Sequence, residues 1–186
     1  MLFDITLPIT RQMITDVPEH ANPALMGHVG THFDTMEEAF PLEYTRRKGI
    51  VFDVSAVRGR DIALSDICIE KVEKDAFVAF YTGFIEEVPY GANGYFSTHP
   101  QLSGEVIDAL LLRGVSVIGI DAGGIRRGKE HVPADRRCAQ KGAFVVENLC
   151  NLKALLPHES FTVHTYPMNF IGVTGIPCRV VAETEE

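Results

Sequence analysis

The sequence has no long apolar run, no extended run of positive charge and no closely paired cysteines, and each absence removes a class of protein. Its longest uninterrupted apolar segments are a handful of residues, far below the ~20 a helix needs to span a bilayer. A membrane is therefore not an expected partner. The opening Met1-Leu2-Phe3-Asp4-Ile5-Thr6 lacks a basic stretch followed by a long apolar one, so no signal peptide is expected, and the cytoplasm is the expected compartment. The longest basic run is Arg46-Arg47-Lys48, in a chain with 17 Lys and Arg against 25 Asp and Glu and a net charge of −8. A field of that sign repels phosphate backbones, which removes nucleic acid as a partner. Cys68, Cys138, Cys150 and Cys178 are widely spaced, with no C-x-x-C pair. Reduced thiols are expected rather than a disulfide framework or a thiolate metal cluster. No G-x-G-x-x-G or Walker loop is present, so no nucleotide cofactor is implied.

What is present is the composition of one folded domain. Apolar residues make up 46% and charged residues 23% of 186 positions, which fits a soluble globular chain. A chain of this length buries roughly 70% of its unfolded surface and needs no covalent staple. No Ser- or Pro-rich linker and no internal repeat divides it, so residues 1–186 read as a single domain. Apolar β-rich segments recur at 50–54, 77–81, 115–120, 143–146, 161–165 and 178–182. Several are continuous apolar runs bounded by Gly or Pro, as strands buried on both faces require. The clearest helix spans 104–113, with Ser103 as N-cap, Val106/Leu110 and Ile107/Leu111 as its apolar stripe, and Gly114 at its end. Strand, helix and strand from Phe77 to Ile120 read as a crossover joining two parallel strands. A second, shorter helix is expected from Asp135 to Lys141. The fold class is α/β, with more sheet than helix.

The segment Gly27-His28-Val29-Gly30-Thr31-His32-Phe33-Asp34 carries most of the chemistry. Two imidazoles and a carboxylate stand at i, i+4 and i+6. A helix would bring the imidazoles together but swing Asp34 away, and Val29, Gly30 and Thr31 are poor helix formers. An extended chain puts all three side chains on one face, with the two His Cα atoms roughly 13 Å apart. Gly30 can bend the backbone and close that gap. The outcome is an N,N,O face suited to Zn²⁺, Mn²⁺ or Fe²⁺. Spacing alone leaves open a loop of polar residues, each satisfied by backbone hydrogen bonds.

His28-Val29-Gly30-Thr31-His32-Phe33-Asp34 resembles the H-x-G-T-H-x-D signature of the cyclase family, which includes bacterial kynurenine formamidases and isatin hydrolase. Later segments agree in order. Thr82-Gly83-Phe84 resembles a T-G-aromatic turn, and His99-Pro100-Gln101-Leu102-Ser103 with Gly119-Ile120-Asp121 resembles H-P-x-L-S…G-I-D. Glu147-Asn148-Leu149 with Asn151-Leu152 resembles E-N-L-x-N-L, and Gly172 to Arg179 resembles a closing G-x-x-G-x-P-x-R. The resemblance implies a three-layer β/β/α swivelling domain and a homodimer or homotetramer. It also implies a metal-dependent amidohydrolase acting on a small-molecule formamide or cyclic amide. Arylformamidase activity on N-formylkynurenine, a step of tryptophan catabolism, is the leading expectation. Zn²⁺ is the expected metal, with Mn²⁺ second, one or two ions per subunit. His28, His32 and Asp34 are the expected ligands of one ion, and Glu147 with Asp135 of another.

The chain also departs from that family. Where the family continues D-x-P-x-H, with the last His as proton shuttle, this chain has Asp34-Thr35-Met36-Glu37-Glu38. Glu38 is the expected general base in its place. A carboxylate can take a proton from a water activated by a metal, as in H-E-x-x-H peptidases. Asp135 stands where the family has a second-metal His, and a helix N-cap is the alternative reading of it. Asp121-Ala122-Gly123-Gly124 replaces a D-x-P-S turn. His20, His131, His158 and His164 match no family position and are read as solvent-facing or hydrogen-bonded structural residues. His99 is read as shaping the site or capping locally. Tyr95 and Phe96 are read as a pocket wall or as core, and Arg126, Arg127 and Lys129 as a solvated loop. A catalytically lapsed metal- or ligand-binding protein is the alternative to an enzyme.

Overall fold

Residues 1–7, 27–170 and 172–184 are described by the structure, a computed structural model. His20 lies outside the described residues. Nine strands form among the described residues: β1 (Leu2–Asp4), β2 (His32–Asp34), β3 (Arg46–Asp53), β4 (Phe77–Tyr81), β5 (Val117–Ile120), β6 (Phe144–Glu147), β7 (Phe161–Thr165), β8 (Gly175–Pro177) and β9 (Val180–Glu183). They make one mixed sheet in the order β1-β9-β7-β3-β4-β5-β6-β2-β8. The centre, β3-β4-β5-β6, is parallel, and the outer strands are antiparallel. The helices are α1 (Phe84–Glu87), α2 (Tyr95–Thr98), α3 (Gly104–Arg113) and α4 (His131–Gln140).

Every residue of β4 is buried, and alternate side chains serve two different cores. Val78 and Phe80 enter one core with Val106, Ile107 and Leu110 of α3. Phe77, Ala79 and Tyr81 enter the other. This second core also holds Phe33 of β2 and Ala182 of β9, which stand toward opposite ends of the strand order. The sheet therefore curls over itself on one side and carries α3 on the other. That gives the β/β/α layering, and it explains why the central strands read as continuous apolar runs.

The strands at 77–81 and 161–165 and the helix at 104–113 have the bounds their sequence pattern indicates. Ser103 Oγ accepts from the Val106 N–H, and Gly114 ends α3 with φ 70°. Leu110 is fully buried there, and truncating it to Ala would cost about 2–5 kcal/mol. The parallel pairing of β4 with β5 confirms the crossover. Three corrections follow. Strands β1, β2 and β8, of three residues each, are additional to the expected set. The last strand runs Val180–Glu183, two residues before which Cys178 lies outside it. The second helix begins at His131 rather than Asp135. Pro133 falls in its first turn, where a backbone N–H has no helical partner to lose. The four cysteines are free, and no helix among the described residues is long and apolar enough to cross a membrane.

Candidate metal centre

Strand β2 is held between β6 and β8, and that register builds the site. His32 pairs directly with Glu147, and Asp34 pairs with Gly175. Directly opposed residues project from the same face. His28 joins from the preceding turn, because Gly30 takes φ 66° and bends the chain. The His28 and His32 ring centroids are then 4.9 Å apart. A Cβ added at Gly175 would lie 2.6 Å from the His28 ring, so this approach requires glycine.

Helix α4 supplies the opposite wall. His131 and Asp135 are four residues apart on it and share a face. His131 Nε2 is 3.4 Å from Asp135 Oδ2 and 3.6 Å from Glu147 Oε1. His32 Nε2 is 3.6 Å from Asp34 Oδ1 and 3.5 Å from Glu147 Oε2. His28 Nδ1 is 3.1 Å from Asp34 Oδ1. Two sets of side chains result: His28, His32 and Asp34, and Asp34, His131, Asp135 and Glu147. Within each set the ligand atoms lie within 4.8 Å of one another. Asp34 belongs to both.

Two of the imidazoles are oriented by the backbone. His32 Nδ1 donates to the Gly30 carbonyl at 2.8 Å, and His131 Nδ1 donates to the Arg126 carbonyl at 3.1 Å. Each donation leaves Nε2 as the lone-pair nitrogen facing the carboxylates. A ligating His is typically held this way by a second hydrogen bond. His28 instead places Nε2 3.0 Å from Thr174 Oγ1 and turns Nδ1 inward.

Whether a cation fits can be judged from the protein atoms. His32 Nε2, both oxygens of Asp34, both oxygens of Asp135 and Glu147 Oε1 are buried and have no hydrogen-bond partner among the described residues. Buried polar atoms are normally paired, and six unpartnered atoms gathered at one spot make a candidate cation site. Burial, then the charge of Asp34, pushes the carboxyls of Asp135 and Glu147 well above their ordinary range. Burial opposes ionisation of Asp34 too, but the neighbouring His32 and His28 outweigh it and hold its carboxyl low. Burial also opposes protonation of His32, and Asp34 reverses that and raises it. Imidazole nitrogens mixed with carboxylate oxygens suit a first-row divalent ion. The residues fit.

The cluster opens into a cavity of about 370 Å³ whose wall includes His28, His131, Phe96, Val132 and Arg136. Arg136 makes no ion pair with any described residue. Of the residues singled out from sequence, His28, His32, Asp34, Asp135 and Glu147 are brought together. Asp135 lies inside α4 and is not its N-cap. Glu38 is not brought in: it is exposed on the turn after β2, its N–H bonded to the Thr35 carbonyl, and it does not line the cavity. His131, read from sequence as a solvent-facing or hydrogen-bonded residue, is hydrogen-bonded to Arg126, and its Nε2 also faces two carboxylates. The available signal was His131-x-x-x-Asp135, visible only once the helix is extended back through Pro133.

The remaining motifs act as ties. Asp121 accepts from the Thr82 N–H, the Thr82 hydroxyl and the Gly83 N–H, anchoring the turn into α1. Tyr95 is fully buried and donates to Asn148, while Phe96 alone of that pair lines the cavity. His99 is buried and donates from Nδ1 to the Pro100 carbonyl, as a local cap does. Arg126 pairs with Asp61 and Glu130, and Arg127 donates to the Ser97 carbonyl. His158 packs against Phe3, and His164 pairs with Glu183.

Residues 3–126 match the family model described as "Putative cyclase". No curated protein sequence matches the chain. Among solved structures, one described as a potential metal-dependent hydrolase with cyclase activity superimposes with a TM-score of 0.78 at 23% identity, covering 100% of this chain and 99% of that one. Isatin hydrolase A from Labrenzia aggregata gives 0.77 at 19% identity, covering 100% and 94%. Isatin hydrolase A from Ralstonia solanacearum gives 0.75 at 18%, covering 100% and 92%. At these identities the likeness establishes a shared fold.

Proposed function

The chain belongs to the cyclase family, and from that premise we propose that it is a metal-dependent amidohydrolase cleaving a formamide or a small cyclic amide. The observation that carries this reading is the convergence of six unpartnered buried ligand atoms beside an open cavity. A divalent ion bound there supplies Lewis acidity, which polarises an amide carbonyl and lowers the pKa of water toward about 7. His28, His32 and Asp34 would hold one ion, and Asp34, His131, Asp135 and Glu147 a second. A bound cation would ionise all three carboxylates, whose charge exceeds that of one divalent ion, which favours two. Zn²⁺ and Mn²⁺ both suit the donor set.

The lining of the cavity supports a substrate with a flat apolar body. Phe96 and Val132 present apolar surface, at 54% and 46% exposure, to a flat or aromatic body. Arg136 stands beside them on α4 with its guanidinium available to an anionic substituent. N-formylkynurenine combines an aromatic amide with a carboxylate, and isatin is a flat cyclic amide. Both belong in the first screen, with simple lactones as controls. The reading includes assembly as a homodimer or homotetramer, which light scattering at micromolar concentration tests. The fold-related alternative, a binding protein without catalysis, predicts tight metal binding and no turnover.

The test is hydrolysis of these substrates by chelated protein and by the same protein reloaded with Mn²⁺ or Zn²⁺. Turnover that disappears on chelation and returns on reloading is expected. Full activity in the chelated protein would overturn the reading.

A further inference from the structure

The two sets of ligands differ in number, charge and access. The outer set, His28, His32 and Asp34, has three protein ligands and one negative charge, and His28 lies on the cavity wall. The inner set has four protein ligands, because α4 contributes both His131 and Asp135 where a single side chain would complete three. It holds three carboxylates, and Asp135 and Glu147 are almost wholly buried. We infer that the two positions are inequivalent: a tightly held inner ion, and an exchangeable outer ion that faces the substrate. This rests on the metal-dependent reading above and adds a division of labour between the sites.

The chemistry runs in one direction. Each additional ligand raises the cost of release, and a position with four protein ligands leaves fewer places for water or substrate than one with three. Three carboxylates also attract a divalent ion more strongly than the single carboxylate of the outer set. Burial adds to the difference, since Asp135 has both oxygens unpartnered and aimed into the cluster. His131 is fixed by its donation to Arg126, so its Nε2 is oriented before any ion arrives.

The test is titration of chelated full-length protein with Mn²⁺, following free Mn²⁺ by electron paramagnetic resonance. Two steps at least about tenfold apart in Kd are expected. His131→Ala and Asp135→Asn should each weaken the tight step by at least about tenfold and spare the weak one. His28→Ala should remove the weak step alone. Circular dichroism of each variant identifies any that fails to fold, and His131→Ala and Asp135→Asn test the same step independently. Two ions of equal affinity, or loss of the tight step in His28→Ala, would overturn the inequivalence while leaving a metal-dependent hydrolase intact. No bound metal at all would overturn both.

Discussion

Asn148 donates from Nδ2 to the carbonyl of Gly30 at 2.8 Å, the same carbonyl that receives His32 Nδ1. The amide is itself held by the Tyr95 hydroxyl, which donates to Asn148 Oδ1 at 2.8 Å. The Asn next to Glu147 therefore fixes both the bend at Gly30 and the tautomer of a candidate ligand. Asn148→Ala should weaken metal binding by about 10–100-fold, with the secondary structure retained. The comparison is a Kd from metal titration, and an unchanged Kd would show that Gly30 is positioned without this bond.

The place of Glu38 in the first motif predicts a proton-accepting role. Its exposed position outside the cavity predicts that Glu38→Gln retains the parental kcat within about threefold. Removal of a true general base would lower kcat by roughly 10²–10⁴. A fall of that size, at unchanged metal content, would restore Glu38 to the mechanism.

The proposed reading gives Arg136 the recognition of an anionic substituent. Arg136→Gln should raise KM for a carboxylate-bearing amide about tenfold, with kcat little changed, and leave a neutral cyclic amide unaffected. Equal effects on both substrates would assign Arg136 to structure rather than recognition.

His99 provides a pH test away from the ligands. Burial holds its imidazole at about 4, below the ordinary 6.5, and its Nε2 has no hydrogen-bond partner among the described residues. Between those values the unfolded chain carries a proton that the folded chain refuses. The resulting stability is present above about pH 6.5 and is lost as the pH falls toward 4, by about 3 kcal/mol at most. His99→Asn keeps a donor for the Pro100 carbonyl and removes the titration. Urea unfolding at about pH 7 and about pH 4.5 should show a smaller acid loss in the variant than in the parent. Identical losses would place the acid sensitivity elsewhere.

Legibility followed the strength of the local signals. β4 and α3 could be read because a continuous apolar run and a capped stripe each admit one interpretation. β2 and β8 have three residues apiece, too few for any period, and their pairing is a tertiary fact. His28, His32 and Asp34 were visible because they are contiguous, and Gly30 showed where the chain would bend. Glu147 and Asp135 emerged only through resemblance to a family. His131 was hidden by Pro133, which reads as a helix break but sits harmlessly in the first turn of α4.

Asp34 belongs to both ligand sets, so one substitution addresses the whole site. The most direct measurement is elemental analysis of the parent and Asp34→Ala proteins, each reloaded with Mn²⁺ and dialysed against buffer without chelator. The account predicts at least the one tightly held ion per chain in the parent and fewer than about half an ion in Asp34→Ala, with both proteins folded by circular dichroism. Equal metal content in the two proteins would contradict it.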